Sequence, residues 1–391
     1  MPQAYIVAYT RSAFTKAKKG GFRSMRSDDL AVLTIQSLLK QVPQLSTDRI
    51  DDLLVGCANP EGEQGLQIGR QIALRAVGIQ CPGVTVNRYC ASGLETIAIA
   101  SAKIRAGMGQ CYIAGGVESM SQIPMEGYKL APNAMVASEH PDYIIGMGLT
   151  AEAVSNKYKV SREDQDAFSF RSHQLAAQAQ DRGFFDQEIT SIDLKETTVV
   201  QDKIKTTQLT INKDDGIRRE TTTEALQALK PAFALGGSVT AGNSSQTTDG
   251  AGFVLVMSEQ MVAELGIKPI GILQSYAVAG VDPLYMGIGP CAAIPKALSQ
   301  AGLKLEDIDR VELNEAFAAQ SLAVIREAGL NPDSVNVNGG AIALGHPLGC
   351  SGARLTMTLL NELKQSKLKF GMATACVGGG QGVAAVIEYL S

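Results

Sequence analysis

Apolar residues recur along this chain with two spacings, one typical of helices and one typical of strands. Helical spacing follows Cys90 and again follows Gly352. Short β-rich apolar runs at 53–56 and 383–387 are typical of strands. Because strands alternate with helices in both halves of the chain, we predict α/β layers with mainly parallel sheets. The apolar helix positions are Leu94, Ile97 and Ile104 in the first stretch and Leu355, Leu359 and Leu363 in the second.

Two segments of the chain resemble each other. The first runs from a predicted strand at 84–87 through Cys90 into a helix and a further strand. The second runs from a predicted strand at 335–338 through a glycine-rich insert and Cys350 into a helix and a further strand. This similarity indicates two similar halves packed as a pseudo-dimer, although any two strand–helix–strand units share much of this pattern.

The region of about residues 120–245, between the halves, differs from both. Ser161 and Asp164 form a helix-start signature, and a polar stretch covers 193–219. We therefore predict an inserted subdomain here. The stretch 240–252, TAGNSSQTTDGAG, is either a flexible linker or a loop that brings the backbone close to a ligand.

Composition narrows the functional classes. The 391 residues are 45% hydrophobic and 19% charged, with a net charge of −4, which fits two or three globular domains and gives no electrostatic footprint for nucleic acid. The seven cysteines include no C-x-x-C pair and the three histidines lack zinc-ligand spacing, so neither a disulfide framework nor a metal site is expected. Without a signal peptide or an apolar run of about 18 residues, we expect a cytoplasmic protein with no membrane span.

Cys90 is the first candidate for chemistry. It is predicted to follow a strand and open a helix, where free backbone N–H groups and the helix dipole can lower a thiol pKa to roughly 3.5–7.5. Such a thiol would be a nucleophile. The alternative is a small buried residue at a tight elbow.

Two further candidates lie in the second half. His346 stands in a loop rich in glycine, 339–352, at the element that matches the Cys90 loop, and could face the same cleft. Cys376 is predicted to follow a strand, and the glycines at 378–380 could present N–H groups to an oxyanion. The alternatives are that His346 is a structural histidine and that Cys376 is a core residue at the end of a strand. The glycine run lacks the third glycine of a dinucleotide-binding motif.

Six motifs in chain order resemble those of the thiolase family, and the similarity covers nearly the whole chain. The resemblance implies the five-layered αβαβα thiolase fold, with two similar halves and an inserted loop subdomain. The motifs are NRYCASGLE (87–95), GGVESMS (115–121), TAGNSSQTTDGA (240–251), LNEAFA (313–318), NGGAIALGHPLGCSGAR (338–354) and CVGGGQG (376–382).

The resemblance also divides the chain. We expect an N-terminal half at 1–120, completed by about 246–268, and a C-terminal half at 269–391. The loop subdomain at 121–245 would bind CoA and the acyl chain. One departure is RSAFT at 11–15, where the family usually carries R-T-P-x-G.

By this resemblance, Cys90 is the nucleophile that carries the acyl group as a thioester. His346 would deprotonate Cys90 and help bind the thioester oxygen of the substrate. Cys376 would be the second acid/base. Asn314 would hold a water in the first oxyanion hole, and the backbone N–H groups of Cys90 and Gly378 would form the second.

The family pattern places two more residues at CoA, which would be a co-substrate rather than a permanently bound cofactor. Arg218 would stack on the adenine or meet a phosphate, and Ser245 would contact the pantetheine. Without the family, Arg218 and Arg219 are simply a solvated pair of charges.

The implied activity is that of an acetyl-CoA C-acyltransferase, the CoA-dependent thiolysis of 3-ketoacyl-CoA in fatty acid β-oxidation. The segment IGMGLTAE at 145–152 resembles degradative members, whereas biosynthetic members carry a longer loop with a histidine. The alternatives are an acetoacetyl-CoA thiolase running in the condensing direction and a catalytically silent acyl-CoA-binding scaffold.

Three further expectations follow. The family implies a homodimer or homotetramer, and some members join a β-oxidation multienzyme complex. The methionines between Met120 and Met147 could line the acyl-chain channel, although core packing would explain them too. Cys90 and Cys376 could form a disulfide under oxidation.

Overall fold

The computed structural model describes residues 2–200 and 203–390. None of the helices in these residues combines the length and apolar character needed to cross a membrane. The strands are β1 (Ala4–Arg11), β2 (Thr15–Lys16), β3 (Asp52–Gly56), β4 (Gly83–Val86), β5 (Cys111–Ser119), β6 (Ile192–Val200), β7 (Lys203–Ile211), β8 (Thr248–Ser258), β9 (Gly271–Gly280), β10 (Arg310–Leu313), β11 (Phe370–Val377) and β12 (Gln381–Tyr389). The helices are α1 (Ser27–Lys40), α2 (Ile68–Ala76), α3 (Ser92–Arg105), α4 (Ala134–Glu139), α5 (Met147–Lys157), α6 (Arg162–Asp181), α7 (Thr223–Gln227), α8 (Glu259–Leu265), α9 (Gly289–Ala301), α10 (Ala318–Glu327), α11 (Ala341–Leu344) and α12 (Leu348–Ser366).

A mixed sheet of ten strands runs through the described part of the chain. Its strand order from edge to edge is β4-β3-β5-β8-β1-β9-β12-β11-β10, and β2 pairs with β8. β1 and β9 meet through one residue pair, Ile6 with Gly271. The sheet therefore divides there into an N-terminal half and a C-terminal half.

The prediction of mainly parallel sheets is wrong. Among the described strands of this sheet, β3 pairs in parallel with β4 and β5, and β10 with β11, while the other pairs are antiparallel. β11 and β12 are joined by the short turn at 378–380, which leaves no room for the crossover that a parallel pair requires. The sequence pattern located strands without giving their directions.

Five layers arise because the two faces of each half-sheet pack against different helices. On β3, Leu53 and Val55 pack with the outer helices α1 and α2, whereas Leu54 packs with α3 and α12. On β11, Met372 packs with α9 and α10, whereas Ala373 packs on the side of α12. Since α3 and α12 fill the space between the half-sheets, the layers run αβαβα, as predicted.

The two central helices are confirmed. The apolar positions that predicted α3 and α12 are at most 1% exposed. Burying each such side chain contributes about 1.5–3 kcal/mol relative to leaving it in water. Because α12 is covered by both half-sheets, its buried surface is wider than the single apolar stripe in its sequence.

The resemblance between the two segments holds for the helices but not for the first strand of the second segment. Val335 makes one bridge, to Val311, in place of the predicted strand at 335–338. The side chain of Asn336 instead accepts from Leu313 N–H and donates to Leu313 C=O, both at 2.8 Å. A side-chain amide thus takes the hydrogen bonds that a neighbouring strand would have made.

Helices α4–α7 and the antiparallel strand pair β6 and β7 lie between β5 and β8 in the chain. The predicted helix start is confirmed, because Ser161 Oγ accepts from Asp164 N–H at 3.1 Å. The stretch 240–252 is not a flexible linker. Asn243 Oδ1 accepts from Thr240 N–H at 2.8 Å, and β8 begins within the stretch and pairs with β1 and β5.

Candidate active site

Cys90 lies between β4 and α3, where the sequence analysis places it. The chain turns sharply there, and Tyr89 has a φ of 42°, in the left-handed region. Tyr89 N–H donates to Asn87 Oδ1 at 2.9 Å. Ser92 Oγ accepts from Arg88 N–H at 2.9 Å and donates to Tyr89 C=O at 2.7 Å. These hydrogen bonds hold the turn and place Cys90 just before the helix.

The Cys90 thiol is a weak acid, contrary to the expectation of a depressed pKa. Although the residue keeps some accessible surface, its sulfur is surrounded by protein, and this burial raises the pKa of Cys90 to about 11. The backbone N–H groups of Gly378 and Cys90 donate towards the sulfur and lower the pKa by less. Cys90 is therefore a thiol at neutral pH and needs a base to become a nucleophile.

His346 lies between α11 and α12, and each ring nitrogen has a partner. Nε2 faces the amide nitrogen of Asn314 at 3.3 Å, and Nδ1 meets the hydroxyl of Ser351. Asn314 Nδ2 can only donate, and Ser351 gives its hydroxyl proton to Pro347 C=O at 2.9 Å. The ring proton therefore sits on Nδ1, and Nε2 is the acceptor.

The imidazole of His346 is neutral at physiological pH. Burial, and then the nearby Arg354 guanidinium, lower the pKa of His346 to about 3. A neutral ring with an unprotonated Nε2 can accept a proton from a neighbouring thiol.

Asn314 directly follows β10 and is completely buried. Its N–H donates to Thr374 C=O at 2.9 Å, which fixes the backbone between β10 and β11. Its Oδ1 has no hydrogen-bond partner among the described residues. That oxygen can accept from a water molecule, as the predicted role of Asn314 requires.

Cys376 is the penultimate residue of β11 rather than the residue after the strand, and it is completely buried. Burial, and to a smaller extent the charge that Cys90 carries once it is ionised, raises the pKa of Cys376 above its usual range. Gly378 follows in the turn that joins β11 to β12, so one short segment supplies both a thiol and an N–H group.

A cavity of about 490 Å³ joins three of the predicted residues: Cys90, His346 and Ser245. Ser245 N–H donates to Ala316 C=O at 2.9 Å, which ties the loop after Asn243 to the segment after Asn314. Both polar and apolar side chains complete the wall, and the large apolar ones include Met120, Phe233, Met286, Phe317 and Leu348.

A second cavity of about 210 Å³ also reaches Cys90 and includes Gly378. Met120, Met125 and Met147 line one or both cavities, whereas Met135 is 63% exposed and lines neither. The predicted methionine lining is therefore wrong for Met135. The apolar wall of the second cavity consists of Met125, Tyr143, Ile144, Ile145, Met147 and Leu348.

Arg218 does not lie on the wall of either cavity. Its side chain is exposed, and its N–H donates to His173 Nδ1 at 3.1 Å. Within the described residues no carboxylate pairs with it, whereas Arg219 pairs with Asp181 at 2.8 Å. The guanidinium of Arg218 is thus available to a negatively charged group outside the cavity.

Ser351 is the main site residue that the sequence analysis missed. It sits in the first turn of α12, where its hydroxyl selects the protonation of His346. A serine five residues after His346 at a helix start was the available signal. Tyr143 and Leu348 were also missed, because apolar residues in loops carry no chemical signature.

Known proteins resemble this chain along nearly its whole length. The family pattern described as "Thiolase, N-terminal domain" matches residues 4–260, and "Thiolase, C-terminal domain" matches 267–389. The 3-ketoacyl-CoA thiolase of Bacillus subtilis (strain 168) is 50% identical over 390 residues, covering 99% of this chain and 100% of the relative. The 3-ketoacyl-CoA thiolase of Saccharophagus degradans is 45% identical over 388 residues, covering 98% and 97%.

Among solved structures, the crystal structure of the Bacillus anthracis acetyl-CoA acetyltransferase is similar to this one, with a TM-score of 0.90 and 38% identity. The likeness covers 100% of this chain and 99% of the other. Sequence and fold agree, and this chain belongs to the thiolase family of acyltransferase enzymes.

Proposed function

We propose that this thiolase carries out CoA-dependent thiolysis of 3-ketoacyl-CoA, releasing acetyl-CoA and a shortened acyl-CoA in fatty acid β-oxidation. The observation that carries the proposal is the position of Cys90 where two cavities meet, with His346 on the wall of the larger one. A thiol at such a junction can be reached by a substrate from both sides.

The first half-reaction begins with proton transfer from the Cys90 thiol to Nε2 of His346. The Cys90 sulfur then attacks the keto carbon of the substrate, and the bond between the α and β carbons breaks. The leaving acetyl-CoA carbanion takes the proton of Cys376. The acyl group remains on Cys90 as a thioester.

The second half-reaction returns both protons. The thiolate of Cys376 takes the proton of incoming CoA, and the CoA sulfur attacks the thioester carbon. Acyl-CoA leaves, and Cys90 recovers its proton from His346. The raised pKa values of both cysteines fit this exchange, because each rests as a protonated thiol.

Developing negative charge on oxygen would be met at two places. The N–H groups of Cys90 and Gly378 converge beside the sulfur and would bind the oxygen of the acyl group on Cys90. The amide of Asn314, through a water, and Nε2 of the protonated His346 would bind the thioester oxygen of the acetyl part. Each donor of this kind contributes about 2.7–4 kcal/mol to lowering a barrier.

The two cavities can hold different parts of the substrate. Ser245 lies on the larger cavity, so we assign that cavity to the pantetheine arm of CoA, with Arg218 meeting the adenine or phosphates outside. We assign the smaller, apolar cavity to the acyl chain. The loop subdomain at 121–245 would then contact both the pantetheine arm and the acyl chain. It would stand between an N-terminal half, made of 1–120 and 246–268, and a C-terminal half at 269–391.

An acetoacetyl-CoA thiolase running in the condensing direction is the second candidate. The acetyl-CoA acetyltransferase among the similar structures favours it. The apolar cavity beside Cys90 favours the longer substrates of the first candidate, because an acetyl group alone would leave its wall unused. Homodimer or homotetramer formation and a β-oxidation partner stay predictions from the family, and a cytoplasmic location stays a prediction from the sequence.

Intact-mass spectrometry tests the proposal. The wild type and Cys90→Ser are each mixed, without free CoA, with acetoacetyl-CoA and with a long-chain 3-ketoacyl-CoA. We expect a Cys90-dependent adduct with the mass of the shortened acyl group from both substrates. An adduct from acetoacetyl-CoA alone would support the second candidate, and no adduct from either would contradict both.

A further inference from the structure

Glu118 is a buried carboxylate beside the site that has no part in the chemistry above. It is the penultimate residue of β5 and is 1% exposed. Its two oxygens accept hydrogen bonds from five groups in three separate segments of the chain. The donors are the N–H groups of Ala58 (2.7 Å), Asn59 (3.2 Å) and Gly349 (2.8 Å), the amide of Gln64 (2.7 Å) and the thiol of Cys57 (3.8 Å).

These partners decide the charge of Glu118. Backbone N–H groups and a side-chain NH₂ group can only donate, so each needs an acceptor oxygen. A protonated carboxyl group would point its own hydrogen at one of them. Burial raises the pKa of Glu118 above its usual range, and these donors oppose the rise. The geometry of the donors favours a carboxylate, held by charge-assisted hydrogen bonds in place of water.

One carboxylate oxygen is linked to the segment that carries the base. Oε2 of Glu118 accepts from Gly349 N–H, in the first turn of α12 and three residues after His346. The carbonyl of Gly349 is enclosed from the other side by glycines of the N-terminal half. A Cβ atom at Gly56, Gly93 or Gly116 would lie 2.8, 3.0 or 2.0 Å from that oxygen. The opposite half thus accepts a hydrogen bond from the N–H of Gly349 and packs closely around its carbonyl.

The same oxygen is linked to the segment that carries the nucleophile. Oε2 of Glu118 accepts from Ala58 N–H, and the carbonyl of Ala58 accepts from Asn87 Nδ2 at 2.9 Å. Asn87 Oδ1 in turn accepts from Tyr89 N–H, the residue before Cys90. A continuous set of hydrogen bonds therefore runs from Glu118 to the Cys90 turn.

We propose that Glu118 is a positioning residue that ties the His346 segment to the Cys90 segment across the two halves and so sets the separation of base and nucleophile. This rests on the proposed function, which makes Cys90 the nucleophile and His346 its base. Glu118 touches no reacting atom. Its effect on the reaction passes through Gly349 on one side and through Ala58 and Asn87 on the other.

The charge of Glu118 supplies a readout that simple packing would not. Burial is the main cause of the raised pKa of Cys90, and the charge of Glu118 adds to it, so removal of that charge moves the titration of the thiol to lower pH. The other titratable groups that border Cys90 or share its cavities are Tyr89, Glu126, Tyr143, His346 and Cys376.

Two variants separate the reach of the side chain from its charge. Glu118→Asp keeps the carboxylate but is one methylene too short to hold both Ala58 and Gly349. Glu118→Gln keeps the length but loses the charge, and its NH₂ group must face N–H donors. Asp51→Asn is the matched control, because Asp51 also accepts two backbone N–H groups, of Gln110 and Cys111, at the opposite end of β5.

The experiment measures kcat and KM for thiolysis, melting temperature, and the rate of Cys90 alkylation by iodoacetamide against pH, read by peptide mass. We expect kcat to fall roughly 10- to 100-fold in both Glu118 variants with little change in KM, as for a small misplacement of reacting groups. The alkylation profile should move to lower pH in Glu118→Gln alone. Asp51→Asn should match the wild type in kcat and in the profile.

Two results would overturn the proposal: kcat unchanged in both variants, or a loss of kcat that equals the loss of folded protein with superimposed alkylation profiles. If Glu118→Gln does not fold, the kcat of Glu118→Asp decides. Alkylation needs no turnover, so it reports on Glu118 even where thiolysis is absent. Loss of activity in Cys90→Ser tests the proposed function separately.

Discussion

Two helix starts in the central layer use a cysteine in opposite ways. Cys90, just before α3, borders both cavities, whereas Cys350, in the first turn of α12, is completely buried. A Cβ atom on Gly252 of β8 would lie 3.2 Å from the Cys350 sulfur, so that sulfur packs against the sheet. The same residue type is a candidate nucleophile in one half and a packing residue in the other.

The loop before each helix produces this difference. In the first half a short turn with a left-handed Tyr89 leads directly into α3 and leaves Cys90 at the cavities. In the second half the loop turns at Gly345, with a φ of 100°, and presents His346 to the cavity instead. Two similar units thus supply a thiol and a base to one site because their loops differ.

The largest expected effect distinguishes the roles of Cys90 and Cys350. Cys90→Ser should lower kcat by about 10³-fold or more, because a serine hydroxyl is a far poorer nucleophile at this site. Cys350→Ala should lower the melting temperature and leave kcat of the folded enzyme near the wild-type value. Thiolysis assays with melting curves measure both, and equal losses of kcat would contradict the distinction.

The base should matter nearly as much as the nucleophile. His346→Gln is expected to lower kcat by about 10²–10⁴-fold, the usual contribution of a positioned general base. His140→Gln is the control, since His140 is exposed. Full activity of His346→Gln would show that Cys90 loses its proton to another group.

The dependence of thiol reactivity on pH also distinguishes Cys90 from the buried cysteines. Because the pKa of Cys90 is about 11, its alkylation rate should rise about tenfold per pH unit from about pH 7 upwards and fall as the solution becomes more acidic. Cys350 and Cys376 should stay unlabelled in the native protein, since both are completely buried. A Cys90 rate that is constant above pH 7 would contradict the raised pKa.

Removing the hydroxyl group that holds His346 is expected to have a smaller effect on kcat. Ser351→Ala leaves Nδ1–H without an acceptor, and such a loss costs about 1–3 kcal/mol, so kcat should fall about tenfold. The control is Ser366→Ala at the other end of α12, where the hydroxyl donates to Glu362. If Ser351→Ala keeps the wild-type kcat and pH–rate profile, Ser351 has no role in positioning His346.

The smallest effect concerns the acyl chain. Met125→Ala should shift chain-length preference by less than the roughly tenfold that one methylene is worth in a closed pocket, because Met125 is partly exposed. Met135→Ala should shift nothing, since Met135 lines neither cavity. Ratios of kcat/KM for short and long 3-ketoacyl-CoA substrates measure the shift, and equal shifts in both variants would contradict the assignment of the smaller cavity.

Local sequence determined much of the scaffold. The spacing of Leu94 and Ile97, and of Leu355 and Leu359, predicted the two central helices, because helical periodicity is a property of neighbouring residues. The cap at Ser161 was predicted for the same reason. The motif order identified the family, and with it the five layers.

Only the tertiary structure decided strand directions, the burial of Cys350 and the proton position on His346. It also reversed the expected pKa of Cys90, because water is removed from the sulfur by segments far away in the chain, while the helix start supplies only part of the compensation. The pKa of a group depends on the desolvation and hydrogen bonding contributed by every residue around it in space. A sequence read locally gives the candidates for a site, and the packing of distant segments sets their acidity and their distances.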